Sequence, residues 1–474
     1  MAEKIYLCSF NQMNLGIRQI YAYLLNAKIY SEMIFVNQKT DIVEMAKHLL
    51  SSKIVAFSVF TDEMPLARKL SAEIMRNRKK KHPIIVFGGH HPTLNAGECL
   101  EFCDCVVRGE GEETLLDICR DSQKIVNIKN ISYLAGESIV ENPLRELVSD
   151  LDELPFPNYD DLNTLATYHI MTSKGCPFNC SYCYNNAYRK MYAGKGKYIR
   201  FKSIPYVIKE LERAKQMFPD IKTVEIMDDN FFMRKIEEIM LFAEEYKSKI
   251  SLPFFCLANP TYVTGDKLQV LKSAGLERIQ IGIQTGSEKI NYSIYDRKIP
   301  NKKILECAYL CKKYSIAVFY DLIFNNPYES NNDVKKTLQI LLRIPKPFHL
   351  QGFNLIFYPN ADIAMRALHD GYILPRTSEH EEVNTIQNDN NSPLRFSNSI
   401  GSPFWKTHYS TSSKKIKLNN LIALSQFLPN YIIRLLSILP GDVLQHVRYW
   451  LKIKKKLIPE EEYLLRLLSS SKVE

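Results

Sequence analysis

The chain has 474 residues, 46% of them apolar and 24% charged, a balance that suits about three packed domains and excludes a disordered or fibrous protein. Its eleven cysteines are odd in number and scattered, which excludes a disulfide framework and points to a reducing, cytoplasmic setting. The net charge is +10, but Ser413–Glu474 holds 11 Lys/Arg against 5 Asp/Glu, set between apolar residues in helical phase; a nucleic-acid partner is therefore not expected.

The first segment, 1–125, alternates strand and helix. The opening Met-Ala-Glu-Lys runs straight into a strand, so no secretory signal is expected, and no run of about 18 uncharged apolar residues predicts a membrane span. Apolar runs at Ile5–Cys8, Met33–Val36, Ile54–Phe60, Ile84–Phe87 and Cys105–Val107 predict buried strands. Amphipathic stretches at Gly16–Leu25, Asp41–Leu50, Glu63–Met75 and Glu112–Cys119 predict the intervening helices. Five such units make a doubly wound, Rossmann-like parallel sheet, with any ligand beyond the carboxyl ends of its strands.

Glycines gather at those ends. Phe87-Gly-Gly-His-His-Pro-Thr93 follows the fourth strand and Arg108-Gly-Glu-Gly-Glu-Glu-Thr114 the fifth. Paired glycines let a backbone approach a large flat ligand without a Cβ clash. Together the two segments resemble the cobalamin-binding domain fused to one branch of the radical S-adenosylmethionine (SAM) enzymes. That resemblance implies cobalamin contacts at Gly16, Ser58, Gly88, Gly89 and His90. It departs from the family after the first strand: Asn11-Gln-Met-Asn-Leu-Gly16 places Met13 where a cobalt-ligating His stands in the better-known cobalamin domains. Imidazole ligation from that loop is not expected.

Residues 126–165 read as a linker. Ile131–Leu134 and Ser138–Val140 flank Ala135-Gly-Glu137 as a small hairpin, and Leu151-Asp-Glu-Leu-Pro-Phe-Pro-Asn-Tyr-Asp160 is a proline-stiffened strap.

Next, 166–375 repeats the strand–helix alternation. Strands are predicted at Tyr168–Thr172, Thr223–Met227, Phe254–Leu257, Arg278–Ile283, Ala317–Phe324 and Leu350–Phe357, and helices at Ile204–Met217, Lys235–Tyr246, Gly265–Ala274, Lys303–Tyr314 and Val334–Leu342. Six units make a partial (β/α) barrel, whose chemistry belongs at the carboxyl ends of the strands.

Cys176, Cys180 and Cys183 follow the first of these strands in the run Ser173-Lys-Gly-Cys-Pro-Phe-Asn-Cys-Ser-Tyr-Cys-Tyr184. Three thiolates at this spacing can each hold one iron of a four-iron cluster and leave the fourth iron open. Structural zinc wants four ligands, and no fourth cysteine lies close by. The trio, with Tyr182 before its last cysteine, resembles the signature of the radical SAM enzymes. The resemblance implies a 4Fe-4S cluster whose open iron chelates SAM, with Tyr182 beside the adenine.

Further strand ends carry related motifs. Met227-Asp-Asp-Asn-Phe231 resembles the family segment that receives the methionyl ammonium, which implies roles for Asp228, Asp229 and Asn230; helix capping is the plainer alternative. Gln284 stands where relatives place a group near the ribose, while Ser287 and Glu288 either join it or simply open the next helix. Asn325-Asn-Pro-Tyr-Glu329 and Pro359-Asn-Ala361 resemble segments that elsewhere read Gly-x-Pro-Gly-Glu and Pro-Gly-Thr, so the backbone turns there are in question.

Residues 376–474 begin with a polar stretch, 377–403, that reads as a loop or lid, and continue as helices. Leu418, Leu421, Ile422 and Leu428 share one face, and Val443, Leu444, Val447, Trp450 and Leu451 another. A cap over the barrel and a helix pair lying on an anionic membrane are both open. The resemblance over residues 1–375 implies a cobalamin-dependent radical SAM enzyme that takes electrons from an external donor. Its expected reaction is methylation of an unactivated carbon in a small-molecule, lipid or peptide substrate. Cyclisation, rearrangement or oxidation without methyl transfer is the first alternative, and a non-catalytic redox or cobalamin sensor the second.

Overall fold

The computed structural model describes residues 4–79, 81–375, 405–407, 413–426 and 429–438. The first sheet contains β1 (Ile5–Ser9), β2 (Glu32–Phe35), β3 (Ile54–Ser58), β4 (Ile84–Gly88), β5 (Cys105–Val107), β6 (Ile131–Ala135) and β7 (Ser138–Glu141), in spatial order β2-β1-β3-β4-β5-β6-β7. The first five strands are parallel. Alternate residues feed two separate apolar cores, one under the helices of each face, as continuous apolar strand runs require. The chain reverses its strand order between β1 and β3, which opens a crevice at their carboxyl ends.

This sheet has seven strands, not the five expected. The hairpin assigned to the linker adds antiparallel to β5. The physical reason is that β5, only three residues long, would otherwise leave a bare edge. Arg108 fixes the addition, donating to Glu141 at 2.7 Å and to the Asn142 carbonyl at 2.5 Å.

The strap lies against the first domain. Arg18, fully buried, donates to both carboxylate oxygens of Asp161 at 2.7 and 3.1 Å and stacks 4.4 Å from the Tyr159 ring centroid.

The second sheet consists of β8 (Thr167–Ile170), followed by a short antiparallel pair, β9 (Ser173–Lys174) with β10 (Arg200–Phe201), and then β11 (Thr223–Ile226), β12 (Phe254–Ala258), β13 (Leu276–Gln284), β14 (Ala317–Phe324) and β15 (His349–Asn354). The six long strands are parallel in order β15-β14-β13-β12-β11-β8. Edges β8 and β15 are not paired with each other, so the barrel is open. Its largest core lies between the convex face and the helices.

β16 (Ile373–Pro375) pairs with β17 (Trp405–Thr407), and the helices Ser413–Ser425 and Asn430–Leu436 follow. Leu421, Ile422 and Ile433 are buried in the barrel core and Leu418 packs against it. The Gln426 amide oxygen accepts from Leu350 N–H at 3.0 Å. The apolar face predicted around Leu421 therefore covers the barrel. Leu428, the 377–403 stretch and Val443–Leu451 lie outside the described residues. No helix among the described residues is long and apolar enough to cross a membrane.

Candidate active site

The carboxyl ends of the two sheets meet, and the cysteine loop lies at the junction. Gly175 turns the chain out of β9 at φ +93°, where a β-carbon would overlap the Tyr198 carbonyl. The loop then carries Cys176, Cys180 and Cys183, and Cys183 caps the helix Tyr184–Met191. Ser181 anchors its middle: its hydroxyl donates to the Ile294 carbonyl at 2.6 Å and its N–H to the Tyr295 carbonyl at 2.9 Å.

The donor set fits a cluster. Among the described residues no three His, Cys, Asp or Glu side chains converge on a single ion; a cluster tripod needs each thiolate on its own iron corner instead. Burial pushes the Cys176 and Cys183 thiols up to about 12. Three thiolates are stable in this pocket only with metal charge among them. The other eight cysteines are all buried and free, including the Cys307/Cys311 pair inside the barrel core.

The polar motif after β11 divides its labour. Asp228 is fully buried and accepts from Thr172 N–H at 2.5 Å, the Thr172 hydroxyl at 2.5 Å and Ser173 N–H at 3.0 Å. Those contacts brace the strand end that carries the cysteines and occupy the oxygens expected for a ligand ammonium. Asp229 accepts from the Asn185 amide at 2.8 Å, and burial pushes its carboxyl up. Asn230 is buried; its oxygen accepts from Asn259 N–H at 3.1 Å, while its amide nitrogen has no partner among the described residues. That orphan donor suits an acceptor on a bound ligand.

Tyr182 stands edge-on to Tyr295, ring centroids 5.0 Å apart, in an apolar cluster with Ile290, Ile323 and Leu355. Gln284 ends β13 at φ +68°, with its amide against Gly282. Glu288 is exposed and accepts from Asn301 N–H at 2.7 Å, so it opens its helix and does not reach the other site residues. Glu329 reaches back to the Thr285 hydroxyl at 2.6 Å. The doubtful turns are made without glycine: Asn325 and Asn360 take φ +59° and +60°, a conformation asparagine tolerates better than most residues.

Across the junction, Asn14 donates to the Ser58 hydroxyl at 3.0 Å at the crevice between β1 and β3, and its oxygen caps the helix that contains Gly16. Gly88 ends β4. Gly89 follows at φ +98°, where a β-carbon would stand 2.8 Å from Val59 N and 2.9 Å from its oxygen. His90 then stacks on Phe60, centroids 5.0 Å apart, and meets Tyr184 edge-on at 4.2 Å. Burial holds its imidazole down near 4, and its Nδ1 has no partner among the described residues. A neutral ring with an orphan nitrogen beside an open crevice suits a large polar cofactor. Met13 lies in the loop after β1 and packs against the barrel core.

Sequence reasoning missed the clamp that holds the halves together. Glu110, from the Gly-Glu-Gly-Glu run, accepts from Arg200 at 2.7 and 3.2 Å, from Lys174 at 3.3 Å and from Val148 N–H at 3.1 Å. The Tyr192 hydroxyl accepts from Glu110 N–H at 3.0 Å, and a β-carbon on Gly109 would overlap that phenol. The run is an interdomain contact, and its only advance signal was its position at a strand end.

The sequence matches the Radical SAM superfamily over residues 170–341 and the B12 binding domain over residues 9–118. The chain carries a radical SAM domain behind an N-terminal B12-binding domain. These two domains imply a 4Fe-4S cluster, SAM and cobalamin as cofactors. Its relatives include an uncharacterized methyltransferase of Pyrococcus horikoshii, 26% identical over 64% of this chain and 67% of that protein. The bacteriochlorophyllide d C-12(1)-methyltransferase of Chlorobaculum tepidum is 24% identical over 64% and 67%. The anaerobic magnesium-protoporphyrin IX monomethyl ester cyclase of Cereibacter sphaeroides is 28% identical over 32% and 28%. Among solved structures, the radical SAM methyltransferase TsrM from Kitasatospora setae superposes with a TM-score of 0.65 at 13% identity, covering 80% of this chain and 82% of that one. The cobalamin-dependent radical SAM enzyme OxsB superposes with a TM-score of 0.60 at 18% identity, covering 78% and 55%. Both share the fold.

Proposed function

We propose that this protein methylates an unactivated carbon of its substrate, using SAM, a 4Fe-4S cluster and cobalamin. When bound, these groups supply a 5′-deoxyadenosyl radical and a transferable methyl group. The observation that carries the reading is the direct packing of His90, at the crevice of the first domain, on Tyr184, the residue after the last cluster cysteine. Two cofactor sites held this close let both act on one substrate carbon.

The chain's own residues prepare that encounter. Asp228 fixes the strand end ahead of the cysteines, Asn230 offers an N–H donor at the end of the next long strand, β11, and the Glu110 clamp sets the spacing of the halves. An external donor supplies the electrons, and a reducing compartment keeps the eight cysteines outside the cluster loop free. Two named methyltransferases among the relatives support methyl transfer. The cyclase among them favours the second reading, a radical reaction without methylation.

The test is anaerobic reconstitution with SAM, a reductant and hydroxocobalamin. Methylation yields S-adenosylhomocysteine together with 5′-deoxyadenosine and a product one methyl group heavier. 5′-Deoxyadenosine without S-adenosylhomocysteine supports the second reading. Cleavage that persists in Cys180→Ala refutes both.

A further inference from the structure

The concave face of the second sheet holds a set of side chains that neither the cysteine loop nor the domain contact uses. In β13, β14 and β15, residues such as Ile279, Ile281, Tyr320, Leu322 and Leu350 enter the core under the helices. Their neighbours in sequence therefore point into the lumen. Three of these lie toward the carboxyl ends and are polar, Gln280 on β13, Asp321 on β14 and Gln351 on β15, while Arg278 and His349 lie a step deeper. Asp321 and Gln351 are register partners, and the Gln280 amide nitrogen lies 3.0 and 2.9 Å from the two Asp321 oxygens. The other half of the sheet presents Met171, Met227 and Leu257, each partly exposed on the same face. In this layer one arc of the lumen is polar and the other is apolar; His169 and Glu225 lie in the layer below.

Asp321 is under-supplied with donors. An enclosed carboxylate ordinarily accepts several hydrogen bonds, but among the described residues this one receives a single amide group. Arg297, the nearby cation, directs its guanidinium at the Gly282 carbonyl at 2.5 Å and the Ile283 carbonyl at 3.5 Å. Burial accordingly pushes the Asp321 carboxyl up to about 6. Deeper in the lumen Arg278 is already answered by Glu225 at 3.6 Å and by the rings of Phe255 and Phe319, so the unmet capacity is an acceptor.

We propose that Asp321, with Gln280 and Gln351, forms the polar end of the substrate site, and that the substrate is an amphiphile. It directs an O–H or N–H donor at Asp321 and lays its apolar body on Met171, Met227 and Leu257. The proposal rests on the reading above only in calling the occupant a substrate.

The probes are benzyl alcohol and benzyl methyl ether, which share a body and differ in the donor. Their affinities for the full-length, cofactor-loaded protein are measured by ligand-observed NMR titration. The alcohol is expected to bind about tenfold more tightly, and Asp321→Leu to reduce that preference to within about twofold. Asp321→Asn, nearly isosteric, guards against a folding defect and is expected to lose most of the preference too. Equal or undetectable binding of the two probes to the wild type overturns the proposal, as does a preference that survives both variants. SAM cleavage assayed on the same preparations separates the two claims: its absence with the preference intact sinks the proposed function and leaves the site standing.

Discussion

Glu110→Ala tests whether one carboxylate holds the two domains in register. Burial alone would push the Glu110 carboxyl up, but Lys174 and Arg200 outweigh it and hold the group from 4.5 down to about 2. A displacement of that size corresponds to about 3 kcal/mol of docking free energy. The general cost of removing one partner from a buried pair is roughly 3–5 kcal/mol. Here the lower end applies, because Lys174 keeps Glu112 at 3.4 Å and the Glu110 side chain is 17% exposed. The expected loss is therefore about 2–3 kcal/mol, and about half that for Glu110→Gln, which keeps the shape and loses the charge.

Global denaturation of a multidomain chain is a poor gauge of this term; amide exchange is better. Leu147 N–H donates to the Lys195 carbonyl at 2.9 Å and makes no contact with the carboxylate itself, so it reports docking of the linker on the cysteine-bearing half. In Glu110→Ala its exchange should accelerate roughly 30- to 150-fold at neutral pH, while the amides of β12 stay unchanged. The sign with pH is fixed. The docked carboxyl titrates below the free one, so the contribution is whole above about 4.5 and disappears as pH falls toward 2. At pH 3 the difference between wild type and variant should shrink to about half or less. Acceleration below about threefold at neutral pH, or a difference that does not shrink in acid, refutes the clamp.

Four more outcomes follow from the geometry. Asp228→Ala removes the acceptor shared by Thr172 and Ser173, so iron and sulfide per chain after anaerobic reconstitution should fall several-fold, with Asp228→Asn in between. Gly89→Ala forces a side chain to φ +98° against the Val59 backbone; it should cost about 2–3 kcal/mol in thermal unfolding and weaken hydroxocobalamin uptake in equilibrium dialysis. His90 is held neutral, its folded value near 4 lying below the unfolded one. Wild type should therefore lose about 2–3 kcal/mol relative to His90→Phe as pH falls from about 6.5 to 4, whereas parallel curves would exclude the effect. Asn325→Gly should be neutral within about 1 kcal/mol and Asn325→Ala destabilising, because φ is +59° there.

The parallel sheets were legible because buried strands write themselves as unbroken apolar runs, and all eleven predicted strands outside the hairpin appear near their expected places. The hairpin was legible as a hairpin, but its partner was not: Ile131 and Ser132 pair with Val107 and Val106, and nothing local specifies that β5 needs a neighbour. The cysteine tripod declares itself by spacing alone. Asp228 did not, since an aspartate that braces a backbone and one that greets an ammonium look alike in sequence. Glu288 misled for a related reason: a carboxylate at a helix start suits both a ligand and a cap. Asn325 and Asn360 show the opposite case, where a departure from glycine in sequence leaves the backbone conformation intact.

The junction also explains why a strand-end motif can have a second partner that its sequence does not announce. In an isolated doubly wound domain, everything beyond the carboxyl ends of the strands faces a ligand. Here two such ends face each other, so each loop has a cofactor crevice on one side and a foreign domain on the other. The loop after β4 serves both, since Gly89 packs on Val59 while His90 reaches Tyr184. The loop after β5 also faces two ways: Gly109 N–H donates to the Thr93 hydroxyl of its own domain at 3.0 Å, while Gly109 admits the Tyr192 phenol and Glu110 gathers Lys174 and Arg200. Placing the charged contacts at Glu110 and the aromatic ones at His90 has a consequence for rigidity. Ion pairs tolerate small shifts, whereas interlocked rings resist them. Both contacts flank the cysteine loop, Lys174 two residues before Cys176 and Tyr184 directly after Cys183, so the rings add stiffness where the ion pairs add hold.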